Sequence, residues 1–216
     1  MPRKKERPKF IHKASTQEYL HCLQNMSNWS HILLSQNNGK TYNDFLKWIL
    51  KNDYFKTSEN LTIAHISKQS GYSSAKVSKW LQEIYEGILE LNENSPELFY
   101  TESGIQVELR IRYYDSFCFF SMTLPVVPRV YESFEFSFIK AKMGWTRFWV
   151  KDVEYTVDNN KSSIYVFLEG GILNRYRELA VEKAKFEERI SFQDFYRKFD
   201  FEIDDLILGR NRELYG

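Results

Sequence analysis

Lys76 and Lys79 lie three residues apart in the run Ser73-Ser74-Ala75-Lys76-Val77-Ser78-Lys79. On a helix that spacing puts both ammonium groups on one face, distinct from the apolar stripe of Val77, Leu81 and Ile84. Ammonium groups beside hydroxyls suit a polyanion: lysine meets phosphate as a point charge, and serine hydroxyls hydrogen-bond phosphate oxygens. Base edges are read chiefly by Arg, Asn and Gln through two-point hydrogen bonds, so this face should discriminate bases modestly. No rival set for covalent chemistry stands out. His12, His21, Cys22, His31 and His65 show no metal-ligand spacing. Gly170-Gly171 lacks the Lys-Ser/Thr of a nucleotide loop, and no nucleophile elbow is present. The acidic pairs Asp152/Glu154, Glu187/Glu188 and Asp204/Asp205 read as solvated faces. The chain is therefore expected to be no enzyme and to need no cofactor or metal.

The residues around the lysines form a positioning device. Thr62 is placed to cap a first helix with its hydroxyl, and Ile63 and Ile66 follow at helical spacing. Ser67 is small where a second helix must cross closely. Gly71 supplies a left-handed turn, Tyr72 plugs the corner, and Ser73 or Ser74 caps the second helix. Small residue, Gly, Ser, Val and Ser-Lys fall at these offsets, and residues 62–81 resemble the helix-turn-helix of the LacI and Cro repressor families. The resemblance covers this segment alone. It implies that Ser73, Ser74, Ala75, Lys76, Ser78 and Lys79 face double-stranded DNA, with Thr62 at the start of the motif. Retention of the motif for packing or protein contact is the competing reading.

Net charge is +1, so the whole molecule exerts little pull on a polyanion and local asymmetry matters more. Residues 3–13 carry Arg3, Lys4, Lys5, Arg7, Lys9 and Lys13 against Glu6 alone. This arm either follows a phosphate backbone or minor groove, or is an ordinary solvated terminus. Residues 83–102 reverse the sign with six glutamates. Cys22 and Cys118, the only cysteines, make no disulfide framework. No run of about 18 apolar residues predicts a membrane span, and the basic start lacks an apolar signal core. A reduced, cytoplasmic setting is expected.

The organisation is expected to be α+β: a basic arm (1–14), a helical domain (15–99) holding the motif, and a β-rich domain with C-terminal helices (104–216). Ser15-x-x-Glu18 is a capping box for a helix with Tyr19, Leu20, Leu23 and Met26. Residues 35–40 are a turn cluster, and Thr41 is expected to cap a bracing helix with Phe45, Trp48 and Ile49. Residues 56–60 link to the motif. Residues 87–99 read either as a two-stranded wing or as a continued helix ending at Asn92 to Pro96. From Ile105 the apolar period becomes 2. Strands are expected at 105–111, 117–124, around Phe134/Phe136/Phe138, at 146–157 and at 164–168. Their short connections predict a five-stranded antiparallel sheet or small barrel. Trp145, Arg147, Trp149 and Lys151 alternate along one strand as a basic and aromatic row, either core or a stacking face for single-stranded nucleic acid. Arg129 and Glu132 read as a surface pair or as lining of a barrel mouth. Helices follow from Ile172 to Arg189 and after Ser191-x-x-Asp194, with a final element at Leu206–Leu208.

These features predict a DNA-binding transcriptional regulator of a bacterium or mobile element, dimeric because one short helix reads too few base pairs. The final helices are the expected dimer elements, and the β-rich part would dimerise or sense an effector. Two alternatives remain at this level. One is a replication or recombination accessory factor binding nucleic acid through its β domain. The other is a protein–protein assembly module built on the same helical motif.

Overall fold

In the computed structural model, the structure describes residues 11–36, 39–56, 61–159, 161–198 and 200–209. The arm residues Arg3, Lys4, Lys5 and Arg7 lie outside them, as do most of the 56–60 link and part of the 35–40 turn.

Local capping signals set the helix starts. Helix α1 (Thr16–Asn25) opens on the Ser15/Glu18 capping box. Ser15 Oγ accepts the Glu18 N–H at 3.3 Å, and Glu18 Oε2 accepts the Ser15 N–H at 2.9 Å. Burial pushes the Glu18 carboxyl up, but the bonds from Ser15 and the nearby His12 outweigh it and hold it below its ordinary value. The backbone leaves helical angles at Met26, and α2 (Ser27–Ser35) follows. Helix α3 (Asn43–Lys51) begins without a side-chain cap. The Thr41 hydroxyl expected there instead accepts the Trp80 indole N–H at 3.3 Å, a tertiary bond that competes with the local one.

Helix α4 (Ile63–Ser70) is followed by α5 (Ser74–Asn94), and a 3₁₀ turn spans Pro96–Phe99. Residues 87–99 are thus continued helix and turn, not a wing. Val77, Leu81, Ile84 and Ile88 extend one buried stripe past Gly87, and that stripe keeps the segment helical.

Strands β1 (Ile105–Tyr113) and β2 (Ser116–Leu124) form a hairpin in full register, Ile105 against Leu124 through Tyr113 against Ser116. Strand β3 is short (Ser133–Glu135) and precedes a 3₁₀ turn and α6 (Lys140–Met143). Strands β4 (Arg147–Asp158) and β5 (Lys161–Gly170) make a second hairpin with a bulge between Val150 and Asp152.

The sheet order is β2-β1-β5-β4-β3, and β1 runs parallel to β5, Glu108 opposite Tyr165 through Arg112 opposite Glu169. The sheet is therefore mixed, which corrects the antiparallel expectation. A parallel neighbour needs a crossover, and residues 125–132 provide it, carrying the chain from β2 at one edge to β3 at the other. β2 and β3 are the two edge strands, so among the described residues the sheet is a half-barrel rather than a closed barrel. The Phe134/Phe136/Phe138 alternation is strand only as far as Glu135, because period 2 here records burial rather than pleat. Phe136 and Phe138 turn into an aromatic cluster with Trp29 and Phe120: Trp29 to Phe120 is 4.6 Å between ring centres, Trp29 to Phe138 is 4.8 Å, and Phe120 to Phe136 is 5.4 Å.

That cluster joins α2 to β2, and Tyr85 of α5 reaches Phe138 at 4.9 Å. Helices and sheet share one core, from Leu20 through Leu168. The compact units divide at Gly171/Ile172, and the described helices before that point lie in the same unit as the sheet. Asn92 adds a polar tie between them. Its side-chain amide donates to Ser121 O at 2.7 Å and accepts the Ser121 N–H at 2.8 Å, as a neighbouring strand would. The second unit holds α7 (Arg175–Phe186), α8 (Phe192–Arg197) and α9 (Asp200–Leu208) around Val181, Ala184, Ile190, Ile203 and Ile207. Ser191 bonds Asp194 through both its N–H (2.7 Å) and its hydroxyl (2.8 Å). No helix among the described residues is long and apolar enough to cross a membrane.

Candidate nucleic-acid interface

The site is built from the end of α4, one turn and the first three turns of α5. Thr62 Oγ1 accepts the His65 N–H at 3.2 Å and so caps α4. The helix ends at Gly71, whose φ of +74° is left-handed and whose N–H donates to Ser67 O at 3.1 Å. Ser67 Oγ donates to Tyr72 O at 2.6 Å, so the small residue also binds the turn. Ser73 then caps α5, its hydroxyl accepting the Lys76 N–H at 3.4 Å.

Aromatic packing holds the two helices. Phe45 of α3 stacks on Trp80 at 5.4 Å, and the Tyr72 ring meets Trp80 edge-on at 4.8 Å and Phe45 at 6.1 Å. Ile66, Val77 and Leu81 are buried beneath. The α3 brace expected from the sequence is in place through Phe45 and Ile49. The first turns of α5 are left outward: Ser73, Ser74, Ala75, Lys76 and Lys79 are exposed, and Ser78 is half-buried. Thr62 is exposed as well, at the far end of α4.

The two lysines differ in setting. The Lys76 Nζ stands 4.6 Å from the Trp80 ring centre and 5.2 Å from that of Tyr72, a cation–π seat that limits where the ammonium can go. The Lys79 Nζ is 3.5 Å from Glu83 Oε1, and its side chain is 75% exposed. A pair this open contributes little energy and exchanges readily for another anion. Neither the aromatic seat nor Glu83 was foreseen from the sequence. Glu83 had a signal, four residues after Lys79. The seat had a weaker one, since Tyr72 and Trp80 both read as core. Beyond Glu83 the same side of α5 turns acidic: Glu83, Glu86 and Glu90 line an open groove of about 570 Å³ with Leu33 and Tyr42. Lys40 is the one cation among the described residues lining the groove, so the local field there is net acidic and disfavours a polyanion.

The alternating row on β4 is not an open stacking face. Trp149 is buried, with Tyr131 at 6.3 Å, and Tyr131 N–H donates to Val150 O at 2.7 Å. Trp145 is partly exposed and stacks on Tyr113 at 5.5 Å. The Glu132 carboxylate accepts the Arg129 backbone N–H at 2.9 Å. On β1, the Arg110 guanidinium lies 3.9 Å over Tyr165 and bonds Glu108 at 2.9 Å. Burial pushes the thiols of Cys22 and Cys118 up to about 11, so both are neutral at physiological pH. Among the described residues no three His, Cys, Asp or Glu side chains are grouped to hold a metal ion.

No protein-family model matches the chain, and neither a curated protein nor a solved structure matches it.

Proposed function

We propose that this protein binds double-stranded DNA without catalysis, by laying the first turns of α5 into the major groove, and that it acts as a cytoplasmic transcriptional regulator. One observation carries the reading. A glycine turn and an aromatic brace leave Ser74, Ala75, Lys76 and Lys79 exposed together, with Lys76 seated on Trp80. The seat shortens the search the ammonium must make before meeting a phosphate, since its rotamers are already restricted. Contacts from Ser, Ala and Lys favour phosphate over base edges, so the expected binding is semi-specific. Two copies reading paired half-sites would make up for the short contact of one.

A protein-contact role for the same helices is the second reading. The run of Glu83, Glu86 and Glu90 beside the lysines favours it, because a mixed-sign helix face suits a protein partner. The charge-reversal pair Lys76→Glu and Lys79→Glu separates the two. Both side chains are exposed, so helical content by circular dichroism should stay unchanged while duplex binding in a gel-shift assay disappears. Undiminished duplex binding by the double variant would refute the assignment. Absence of duplex binding by the unaltered protein would hand the site to a protein partner.

A further inference from the structure

The second unit wears its apolar side chains on the outside. Among the described residues of 172–209, nine large apolar side chains are exposed and five apolar ones are buried in the core around Val181. A core of four branched aliphatics and one alanine is small against the entropy of ordering nearly forty residues. This unit therefore requires a further apolar surface.

The exposure has a pattern on α7. Tyr176 (87%), Leu179 (64%) and Phe186 (88%) fall on one side of the helix, with the Lys183 stem between the last two. Val181 and Ala184 face the opposite way, into the unit's own core. The stripe runs ten residues, roughly 15 Å. We infer that it is a docking surface for a second copy of this chain, α7 against α7 about a two-fold axis. The choice of a like copy leans on the duplex-binding reading, because two-fold proteins read paired half-sites; the apolar excess does not.

Charge and area argue for this occupant. Residues 172–209 hold seven Lys or Arg and nine Asp or Glu, which repels nucleic acid and anionic lipid alike. The one charged residue in the stripe, Lys183, has its counter-ion at the C-cap of the same helix, Glu187 Oε1 at 3.6 Å, so docking strands no charge. Two aromatic rings at about 150–250 Å² each, with Leu179 between, offer roughly 500 Å² per copy. The sum over two copies reaches about 1,000 Å², the lower bound that a biological interface must clear.

Sedimentation equilibrium of the full chain across the micromolar range tests this without DNA. The unaltered protein should be a dimer. Leu179→Glu and, independently, Tyr176→Glu should each raise the dimer dissociation constant by about 100-fold, since each buries two carboxylates per interface. Both sites are exposed, so the circular dichroism of each variant should match the parent. A protein that is monomeric throughout the range overturns the inference, and so does a dimer that survives both substitutions. Monomers that pellet with phosphatidylcholine vesicles would assign the stripe to lipid instead, again overturning it. The two proposals fail separately: a dimer lost with Leu179→Glu in a protein that ignores DNA keeps this inference and removes the function, and a monomer that binds DNA does the reverse.

Discussion

Replacing Asn92 by alanine should weaken the main unit more than any exposed substitution. Asn92 is 2% exposed and Ser121 is 8% exposed, and the two share a reciprocal pair of hydrogen bonds at 2.7 and 2.8 Å. Alanine removes both, leaving the Ser121 N–H and C=O buried with their outward partner gone. Each orphaned group costs about 1–3 kcal/mol, so the loss should be about 2–6 kcal/mol, reduced where water enters. For a unit of this size, ~3 kcal/mol corresponds to about 6–12 °C in Tm. Urea unfolding should be followed by tryptophan fluorescence, which reports Trp29 and Trp80 among the helices and Trp149 in the sheet, and by far-ultraviolet circular dichroism. Both signals should shift to the same lower midpoint, because helices and sheet share one core. A shift under about 0.5 kcal/mol would show that the amide bridge contributes nothing. Two separated transitions would show that the helical and β regions fold apart.

Gly71→Ala meets no atom within 4 Å, so its cost is backbone strain alone at φ +74°, about 1–2 kcal/mol by thermal melting. Gly170→Ala has the opposite cause: the new Cβ would stand 2.4 Å from the Tyr113 ring and 3.0 Å from Tyr113 Cβ. Shifting Tyr113 off Trp145 should cost about 1–3 kcal/mol and change the tryptophan emission. Cys22 and Cys118 should resist a thiol reagent at pH 8 in the folded protein and react at once in urea. Their folded pKa, raised from 9.0 to about 11, makes the thiol contribution to stability complete below pH 9, and it should be lost as pH rises to about 11. A flat stability profile across that window would contradict their burial.

What the sequence revealed was governed by range. The Ser15/Glu18 box, the Thr62 and Ser73 caps and the Gly71 turn are each complete within four residues, and each was readable from residue type and spacing. The outward face of α5 was readable because Val77, Leu81 and Ile84 mark its inner side. The parallel pairing of β1 with β5 was hidden, since it depends on residues 125–132 carrying the chain between the two edges of the sheet, and that segment resembles a short loop. Thr41 misled for a related reason: its hydroxyl has a local use and a distant one, and only the fold brings Trp80 within reach. Asn92 looked like a helix-ending residue. Its role requires Ser121 to lie beside it, 29 positions away, and no local pattern records that. Lys76 stood out by type, but its seat on Tyr72 and Trp80 appears only once the turn is closed.

The salt dependence of duplex binding tests the central claim most directly. Fluorescence anisotropy of a labelled duplex, titrated at several salt concentrations, reads the number of phosphates the protein neutralises. Two lysines per copy, with two copies bound, predict a fall of about 3–4 log units in affinity per tenfold rise in salt. Reversing Lys76 and Lys79 should abolish the binding itself. A slope near zero, or a slope unchanged by that reversal, would show that these ammonium groups do not meet DNA.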